Sequence, residues 1–529
     1  MAALDYELGR LLEPAVAVGP PPQRAPARFW QFDRCCPLSA KEVDDWLGSE
    51  LAGLDGDDAM AGIGGLSPGL EAQAYLKAVE RIQDWIAAGD CYQVNFSFPL
   101  GFQWFGSPLA LYARLRQQQP VRYGGLLMHA EGAVVSLSPE LFLMRSGQHL
   151  ITRPMKGTAA HHQEPAALRA SAKDRAENLM IVDLLRNDLG RVAEIGSVSV
   201  DALFAIEEYP TVRQMVSQIS ARLADSVTMA DLLSALFPCG SVTGAPKIRA
   251  MQIIGELETA PRQLYTGAFG WLAPDGDFRL NVAIRTLELE ASGKGCMHIG
   301  SGIVADSDPL GEWQECWLKA AFLVASDPGL QLIETLRCEN GNYPRLEGHL
   351  ARLAASAAWL GFVCDVDRLR AVLAAQATDG LQRVRLTLDK QGRVEVTTAP
   401  LLPLDGAMAA CLADQPIDSR HPLRRHKTTA RMRYDQALAS LAEHPGCFDM
   451  LFFNERGEVA EGARSNVFVE RDGTLLTPPV SSGALPGVLR AELLASGRAR
   501  EAVLWPADLT GGFWLGNALR GLIPVTLRE

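Results

Sequence analysis

The sequence predicts an α+β fold built from two successive domains, and three observations lead to this prediction. A chain of 529 residues, 48% of them hydrophobic, can form more than one core, because a domain usually holds about 100–200 residues. In the first part of the chain, short strands alternate with amphipathic helices without a regular βαβ rhythm, which favours an α+β sandwich. The sequence character then changes after the turn-like stretch 326–329. We therefore expect a short lead-in at 1–66 that completes a first domain at 67–326, and a second domain at 331–529.

Composition limits the partners and the compartment. The formal net charge of -12 argues against nucleic acid or an anionic membrane surface as a main partner. No apolar run reaches the roughly 18 residues of a membrane span, and the first residues lack the pattern of a signal peptide. The ten cysteines are scattered and form no CxxC pair, which disfavours structural zinc and a disulfide framework. A cytoplasmic protein is expected.

Polarity patterns and turn residues predict the elements of the first domain in order. Helices are expected at 72–88, after Ser171 and at 248–255. Strands are expected at 91–99, 124–129, 133–137, 142–145, 198–204, 214–224, 265–271 and 278–287.

The first candidate reactive group is Lys156. A proline before it and a glycine after it predict a rigid turn, so the amine is expected on a constrained backbone. Glu140 ends a short apolar run upstream, and Glu177 falls on the apolar stripe of the helix that follows Ser171. Taken singly, such residues are usually solvent-exposed. Together they indicate a metal-assisted nucleophilic displacement.

Three further features in this domain could bind an anion. The small-residue turn at 237–247 leads into a helix, where backbone amides can hold a carboxylate. Arg285 interrupts an apolar strand and could form either a structural salt bridge or a bidentate contact with a carboxylate. Glu312, Glu315 and Lys319 share one helix face at i, i+3 and i+7.

Several of these stretches together resemble the chorismate-utilising enzymes, in the order typical of that family: 89–95, 138–140, 153–158, 172–188, 240–247, 265–267, 300–302 and 312–319. Lys156 resembles the aminodeoxychorismate synthases of this family, whereas anthranilate synthases have a small residue there. Gln93 stands where isochorismate and salicylate synthases place a lysine that activates water. Both positions imply amination of chorismate by ammonia at ring carbon 4.

The resemblance also implies the roles of individual residues. Lys156 would attack ring carbon 2, and Glu140 would supply the proton that allows the hydroxyl at carbon 4 to leave. Mg²⁺ would be held by Glu177 and Glu315, with Glu312 beside them. The remaining substrate contacts would come from Gln93, Ser241, Tyr265, Arg285, Gly300, Gly302 and Lys319. Gln214 departs from the pattern, because many relatives have histidine at this place. No glutaminase motif is visible, so ammonia would come from a separate glutamine amidotransferase or from solution.

The second domain contains a basic stretch at 424–434 that, alone, would usually be a solvated surface. The stretches 448–469 and 478–490, however, resemble the class IV aminotransferase fold over residues 331–527. This resemblance implies that Lys427 forms a Schiff base with pyridoxal phosphate and that Glu461 pairs with its pyridinium nitrogen. It implies phosphate contacts from Arg345, Gly487 and Val488, with help from Asn517. It also allows a homodimer formed through this domain.

Within that fold the nearest group is the 4-amino-4-deoxychorismate lyases, which use the product expected of the first domain. The preferred hypothesis is therefore a bifunctional enzyme that makes para-aminobenzoate for folate from chorismate and ammonia. Three alternatives remain open: an anthranilate synthase large subunit, a second domain that is a non-catalytic interaction module, and a transaminase acting on ordinary amino acids.

Overall fold

The computed structural model describes residues 1–16, 19–160, 164–208, 212–376, 379–404, 406 and 408–528, and these form two compact units. The first unit contains 1–49, 66–102 and 111–326, and the second contains 50–65, 103–110 and 327–529. Residues 50–65 and 103–110 therefore cluster with the second unit, although the sequence assigned them to the first domain. Among the described residues, no helix combines the length and the hydrophobicity that crossing a bilayer requires.

The elements up to residue 325 alternate between helices and strands. In chain order they are β1 (Ala2–Leu4), α1 (Glu7–Leu12), β2 (Ala27–Phe29), α2 (Ala40–Ala52), α3 (Gly56–Ala59), β3 (Gly62–Pro68), α4 (Ala72–Ala87), β4 (Gln93–Phe105), α5 (Pro108–Gln118), β5 (Gly125–His129), β6 (Gly132–Ser136), β7 (Leu141–Ser146), β8 (His149–Arg153), β9 (Met155–Ala160), α6 (Pro165–Ala170), α7 (Ala172–Gly190), β10 (Ser199–Glu208), β11 (Val212–Arg222), α8 (Met229–Leu236), β12 (Gly244–Ala245), α9 (Lys247–Leu257), β13 (Ala268–Leu272), β14 (Phe278–Val282), β15 (Thr286–Glu290), β16 (Lys294–Ile303) and α10 (Pro309–Ala325).

The strands of the first unit form two sheets. One has the order β10-β11-β8-β7-β14-β13-β1-β2, with β9 also paired to β11. The other has the order β12-β4-β16-β15-β6-β5. Neighbouring strands of the first sheet are antiparallel, as are the pairs β12–β4, β16–β15, β15–β6 and β6–β5 of the second, and helices pack against the sheets. This agrees with the predicted α+β sandwich.

Helix α7 shows how the sequence sets this packing. Ser171 caps the helix, because its hydroxyl accepts a hydrogen bond from Asp174 N at 3.3 Å. Ile181 and Leu185 recur on one face and are buried in a cluster with Ile219 of β11. This apolar face packs α7 against the first sheet. The packing fixes the residues at the start of the helix relative to β9 and β11.

The backbone around Lys156 differs from the predicted turn. Met155 opens β9, and Met155 pairs with Val216 of β11. Gly157 has a φ of +92°, which only glycine adopts easily. The glycine in the sequence therefore indicated a local irregularity of the backbone within β9. Lys156 is therefore held by strand pairing, and the prediction of a turn was wrong.

The second unit has its own strands and helices after residue 331. In chain order they are β17 (Leu332–Glu339), α11 (Leu346–Leu360), α12 (Val366–Ala375), β18 (Leu381–Leu388), β19 (Val394–Pro400), β20 (Met408–Leu412), α13 (Met432–Ser440), β21 (Cys447–Phe453), β22 (Val459–Gly462), β23 (Asn466–Arg471), β24 (Thr474–Thr477), α14 (Val488–Ala495), β25 (Ala499–Glu501), β26 (Phe513–Asn517) and β27 (Gly521–Arg528).

These strands also form two sheets. The smaller sheet has the order β17-β18-β19, and the larger has the order β22-β21-β20-β27-β26-β23-β24-β25. Each sheet has a separate hydrophobic cluster, one centred on Leu336 and Leu386 and the other on Leu451 and Leu515. The second unit is thus a further α+β domain, as predicted.

Candidate active sites

The side chain of Lys156 points from β9 toward the bare backbone of Gly302 on β16. A methyl group built on Gly302 would lie 3.4 Å from Lys156 Nζ and 2.6 Å from Gln93 Nε2. Gln93 is buried, and its side-chain oxygen has no hydrogen-bond partner among the described residues. Lys156, Gln93 and Gly302, all predicted from the sequence, therefore lie close together. Position 302 requires a glycine, because the Lys156 amine and the Gln93 amide occupy the space that a side chain would fill.

Charges of both signs surround the Lys156 amine. Burial lowers the pKa of Lys156; the carboxylate of Glu177 opposes this shift, and the positive charge of Lys319 adds to it. Glu140 and Glu315 act in the same direction as Glu177 but more weakly. Because the pKa stays below its usual value, a larger fraction of the amine is neutral, which is the state a nucleophile requires.

Glu140 is a buried acid with one strong hydrogen-bond partner. It is 3% exposed, and its Oε1 accepts a hydrogen bond from Ser241 Oγ at 2.6 Å. Burial raises the pKa of Glu140 from 4.5 to about 7, although Ser241 and Lys156 each lower it. At neutral pH the carboxyl group is partly protonated, so it can donate a proton. Ser241 lies in the predicted small-residue turn, and it orients this acid.

Helix α10 carries the second group of predicted residues. Lys319 Nζ lies 2.8 Å from Glu315 Oε1 and donates a hydrogen bond to Gly300 O at 2.8 Å. Glu312 accepts a hydrogen bond from Ser307 Oγ at 2.7 Å. The i, i+4 spacing of Glu315 and Lys319 brings their charges together on one face, as the sequence predicted.

The predicted metal ligands are compatible with Mg²⁺. Burial raises the pKa of Glu177, Lys156 lowers it, and Glu312 is among the charges that raise it, so these carboxylates act on one another. Among the residues that the structure describes, no three His, Cys, Asp or Glu side chains are grouped as metal ligands. Mg²⁺ binds through few protein carboxylates and completes its shell with substrate oxygens and water. Glu177 and Glu315 fit that donor set, and their role as ligands stays a prediction.

Two other predicted contacts have defined surroundings. The Tyr265 ring is buried and stacks on His298, with ring centroids 5.5 Å apart. Arg285 follows the end of β14 with a φ of +49°, and its guanidinium donates a hydrogen bond to Gln119 Oε1 at 3.1 Å. The expected strand 278–287 is therefore interrupted after Val282, and contact of Arg285 with a substrate stays a prediction.

Asn178 is a buried polar residue that the sequence reasoning missed. It is 0% exposed, and its Oδ1 accepts a hydrogen bond from Ser217 Oγ at 2.6 Å. Asn178 Nδ2 and Gln214 Oε1 have no partner among the described residues, and unpaired buried polar atoms are suited to a bound ligand. The signal was present, because Asn178 lies three residues before Ile181 on the apolar face of α7.

The second unit contains a cavity of about 660 Å³ with Lys427 and Glu461 in its lining. Burial, together with the positive charges of Arg431 and Arg352, lowers the pKa of Lys427 to about 7. A partly neutral buried lysine is the group that forms a covalent bond with a carbonyl cofactor.

Glu461 is held on both oxygens. Its Oε1 accepts a hydrogen bond from the Tyr434 hydroxyl, and its Oε2 accepts one from Leu485 N at 2.8 Å. Burial raises the pKa of Glu461, while these two hydrogen bonds lower it. The carboxylate is thus fixed in orientation within the same cavity as Lys427.

The structure offers a second arginine near the position predicted for phosphate, and the contact expected from Arg345 stays a prediction. Arg345 pairs with Glu492, whereas Arg352 lines the cavity. Arg352 binds both oxygens of Glu334, with Nε–Oε1 and Nη2–Oε2 distances of 2.9 and 2.6 Å, and donates to Pro486 O at 3.3 Å. The side chain of Arg352 lies beside the start of α14, where the phosphate was expected. Sequence reasoning named Arg345, the N-cap of α11, and did not name Arg352 within that helix.

The remaining predicted cofactor contacts also line this cavity. Gly487 is the N-cap of α14, but its own N–H donates to Leu485 O at 2.8 Å, so that amide is already used. Val488 opens the helix, whose free amides can bind an anion. Asn517 Oδ1 accepts a hydrogen bond from Arg520 N at 2.9 Å. A buried lysine, a buried carboxylate, an arginine and a helix N-terminus in one cavity fit pyridoxal phosphate.

Comparison with known proteins agrees with this geometry. Residues 5–325 match the chorismate binding enzyme family, and residues 331–527 match the class IV amino-transferase family. The chain is 44% identical over 252 residues to aminodeoxychorismate synthase component 1 of Salmonella typhimurium, covering 46% of this chain and 55% of that protein. It is 40% identical over 319 residues to anthranilate synthase component 1 of Thermus thermophilus, covering 58% of this chain and 66% of that protein.

A solved structure gives the same result for the fold. The anthranilate synthase component I of Streptococcus pneumoniae TIGR4 is similar with a TM-score of 0.52 and 28% identity, covering 61% of this chain and 79% of that chain. The chain spans 55% and 66% of the length of the two curated relatives above. The match over residues 5–325 shows that the chain belongs to the chorismate binding enzyme family, here followed by a class IV aminotransferase domain.

Proposed function

We propose that the chain makes para-aminobenzoate from chorismate and ammonia in two reactions, one in each unit. The first replaces the hydroxyl at ring carbon 4 of chorismate with an amino group and releases water. The second removes the enolpyruvyl group of 4-amino-4-deoxychorismate as pyruvate and leaves an aromatic ring. The observation that carries the proposal is the Lys156 amine with a depressed pKa, set beside the buried acid Glu140.

In the first reaction, Lys156 Nζ forms a bond to ring carbon 2, and the two conjugated ring double bonds both shift by one position as the hydroxyl at carbon 4 leaves. Glu140 protonates that hydroxyl, so water departs. Ammonia then bonds to carbon 4, both double bonds shift back, and the bond from carbon 2 to Lys156 breaks. The amine must be neutral before attack and the acid protonated before the hydroxyl leaves, and burial favours both states.

Two groups outside the chain complete this reaction. Mg²⁺, bound by Glu177 and Glu315, would hold the ring carboxylate and make the ring a better electron acceptor. Ammonia would come from a separate glutamine amidotransferase or from solution.

In the second reaction, Lys427 removes the proton from carbon 4, and Glu461 holds the cofactor nitrogen in its charged form. Pyridoxal phosphate supplies an electron sink for the carbon that bears the amine. The low pKa of Lys427 suits an amine that must accept a proton at neutral pH.

The alternative function is that of an anthranilate synthase. It is favoured by the similarity of the chain to one relative and one solved structure that carry that name. Lys156 is the reason we prefer amination at carbon 4. An anthranilate synthase needs no lysine nucleophile in the ring pocket, whereas here the amine occupies the space over Gly302.

The test is product analysis of the purified chain with chorismate, Mg²⁺ and an ammonium salt, with and without added pyridoxal phosphate. We expect aminodeoxychorismate in both samples and para-aminobenzoate with pyruvate only when the cofactor is bound. Lys427→Ala should accumulate aminodeoxychorismate and lack the visible absorbance band of bound pyridoxal phosphate. Formation of anthranilate by the wild-type chain would refute the first half of the proposal, and pyruvate release by Lys427→Ala would refute the second.

A further inference from the structure

The cavity of the second unit carries more positive charge than its internal partners neutralise. Several of its lining arginines are used within the fold: Arg352 binds Glu334, Arg431 pairs with Asp435 at 3.0 Å, and Arg424 donates to the Tyr434 hydroxyl at 2.8 Å. These side chains hold the walls around Lys427.

Two other lining arginines, Arg464 and Arg520, are linked through one residue. Asn517 Nδ2 donates a hydrogen bond to Arg464 O at 3.2 Å, and Asn517 Oδ1 accepts one from Arg520 N at 2.9 Å. The two arginines therefore start from adjacent backbone positions although they are 56 residues apart in the chain. We name Arg464, Asn517 and Arg520 the arginine bracket.

The guanidinium groups of the bracket have only neutral partners inside the fold. Arg464 Nη2 donates to Phe448 O, and Arg520 Nη1 donates to Leu402 O at 2.9 Å. In the described part of the chain, no carboxylate oxygen lies within 4.0 Å of either guanidinium group. The charge of Arg464 acts on Asp449, which is fully buried and accepts hydrogen bonds from Ser465 Oγ and backbone amides.

A third arginine increases the positive charge there. Burial lowers the pKa of Arg520, and Arg464 and Arg383 lower it further. All three side chains line the cavity, and Arg464 and Arg383 are exposed whereas Glu461 is buried. The bracket thus lies at the open part of the cavity. Positive charges held close together without an anion repel one another, so a carboxylate that binds between them would be stabilised.

We propose that the arginine bracket is the subsite for the ring carboxylate of the lyase substrate. This inference rests on the proposed function of the second unit and names a binding role for residues of this chain. The amine and the ring carboxylate of 4-amino-4-deoxychorismate lie at opposite ends of the ring. With the amine directed to Lys427 in the buried part, the ring carboxylate extends toward the open part, where Arg464 and Arg520 bind it.

The experiment measures binding of two small probes to the full chain loaded with pyridoxal phosphate. 4-Aminobenzoate has the amine and carboxylate at the same two positions as the substrate, and 4-aminobenzamide has the same shape without the charge. Calorimetric titration gives the dissociation constant of each probe for wild type, Arg464→Gln, Arg520→Gln and the double variant. Arg433→Gln is the matched control, because Arg433 also lines the cavity and donates to a backbone carbonyl, Pro416 O at 3.2 Å.

We expect each single variant to weaken 4-aminobenzoate binding about three- to fivefold and the double variant about tenfold or more, since partly exposed charge pairs contribute modestly. Binding of 4-aminobenzamide should not change, and the Arg433→Gln variant should behave as wild type. The KM for pyruvate release should rise with little change in kcat. Arg464→Lys and Arg520→Lys keep the charge and should recover part of the affinity, which separates charge from a packing defect.

Failure of the inference and failure of the proposed function give different results. The bracket as a carboxylate subsite would be overturned if wild type and the double variant showed the same ratio between the dissociation constants of 4-aminobenzamide and 4-aminobenzoate. Absence of pyruvate release by wild type, with arginine-dependent probe binding retained, would overturn the lyase function and leave the subsite intact.

Discussion

Replacing Glu140 with glutamine should stabilise the first unit at alkaline pH while removing the amination of chorismate. The structure gives the magnitude. Burial raises the pKa of Glu140 from 4.5 to about 7, and the side chain is only 3% exposed. The native state therefore binds more protons than the unfolded state between these pH values, so stability contributed by this group is present below pH 4.5 and is lost as the pH rises through 7. At about 1.4 kcal/mol per pKa unit, the loss is about 3 kcal/mol.

Glutamine has no charge to desolvate and can still accept the hydrogen bond from Ser241. The Glu140→Gln chain should therefore gain about 3 kcal/mol over wild type between pH 5 and pH 8. Hydrogen exchange of peptides from β7 and α7, compared with wild type at each pH and without Mg²⁺, measures opening of the first unit alone. Glu131→Gln, in an exposed turn, is the control and should show no such gain. A variant that is equally or less stabilised at pH 8 than at pH 5 would refute the assignment of Glu140 as a buried, partly protonated acid.

Three further changes test the remaining parts of the sites. Glu177→Gln or Glu315→Gln should raise the Mg²⁺ concentration needed for half-maximal amination by about ten- to a hundredfold, because each would remove one of two protein ligands; an unchanged Mg²⁺ dependence excludes the metal assignment. Arg352→Gln should weaken pyridoxal phosphate binding by about a hundredfold, as it removes a cation from the cavity and the arginine partner of the buried Glu334, whereas Arg345→Gln should have little effect; titration of the visible absorbance band measures both, and the reverse order of effects supports Arg345. Gly302→Ala should reduce amination by about a hundredfold, since its methyl group would lie 2.6 Å from a buried amide, and pyruvate release from added aminodeoxychorismate should be retained; normal amination would show that the space over Gly302 is not used.

The residues of the synthase site could be found from local sequence, but their mutual arrangement could not. Turn residues, helix periodicity and family motifs identified Lys156, Glu140 and Glu177 within a stretch of fewer than 40 residues. The contact between Glu140 and Ser241 joins residues 101 positions apart, and it depends on how the sheet and the small-residue turn pack. The same limit applies to the backbone at Lys156. Its strand β9 pairs with β11, which is distant in sequence, and the nearby proline and glycine do not predict that pairing.

The second site shows a similar limit. Arg345 precedes α11 and Arg352 lies within it, and sequence position alone does not tell which of them lines the cavity. Arg352 lines it and is held there by both oxygens of the buried Glu334, while the phosphate contact of either arginine stays a prediction. Gly487 was expected to offer an amide, but that amide bonds to Leu485 within the turn. Sequence motifs name candidate side chains, whereas the backbone groups and charge partners around them required the fold.

The most direct test of the central claim is mass spectrometry of the chain incubated with chorismate and Mg²⁺ in the absence of ammonia. In the proposed mechanism Lys156 attacks ring carbon 2 before nitrogen enters, so withholding ammonia should leave a chorismate-derived adduct, minus one water, on Lys156. The adduct should disappear when an ammonium salt is added, and it should be absent from Lys156→Ala. An adduct on a different lysine, or full formation of aminodeoxychorismate by Lys156→Ala, would contradict the account.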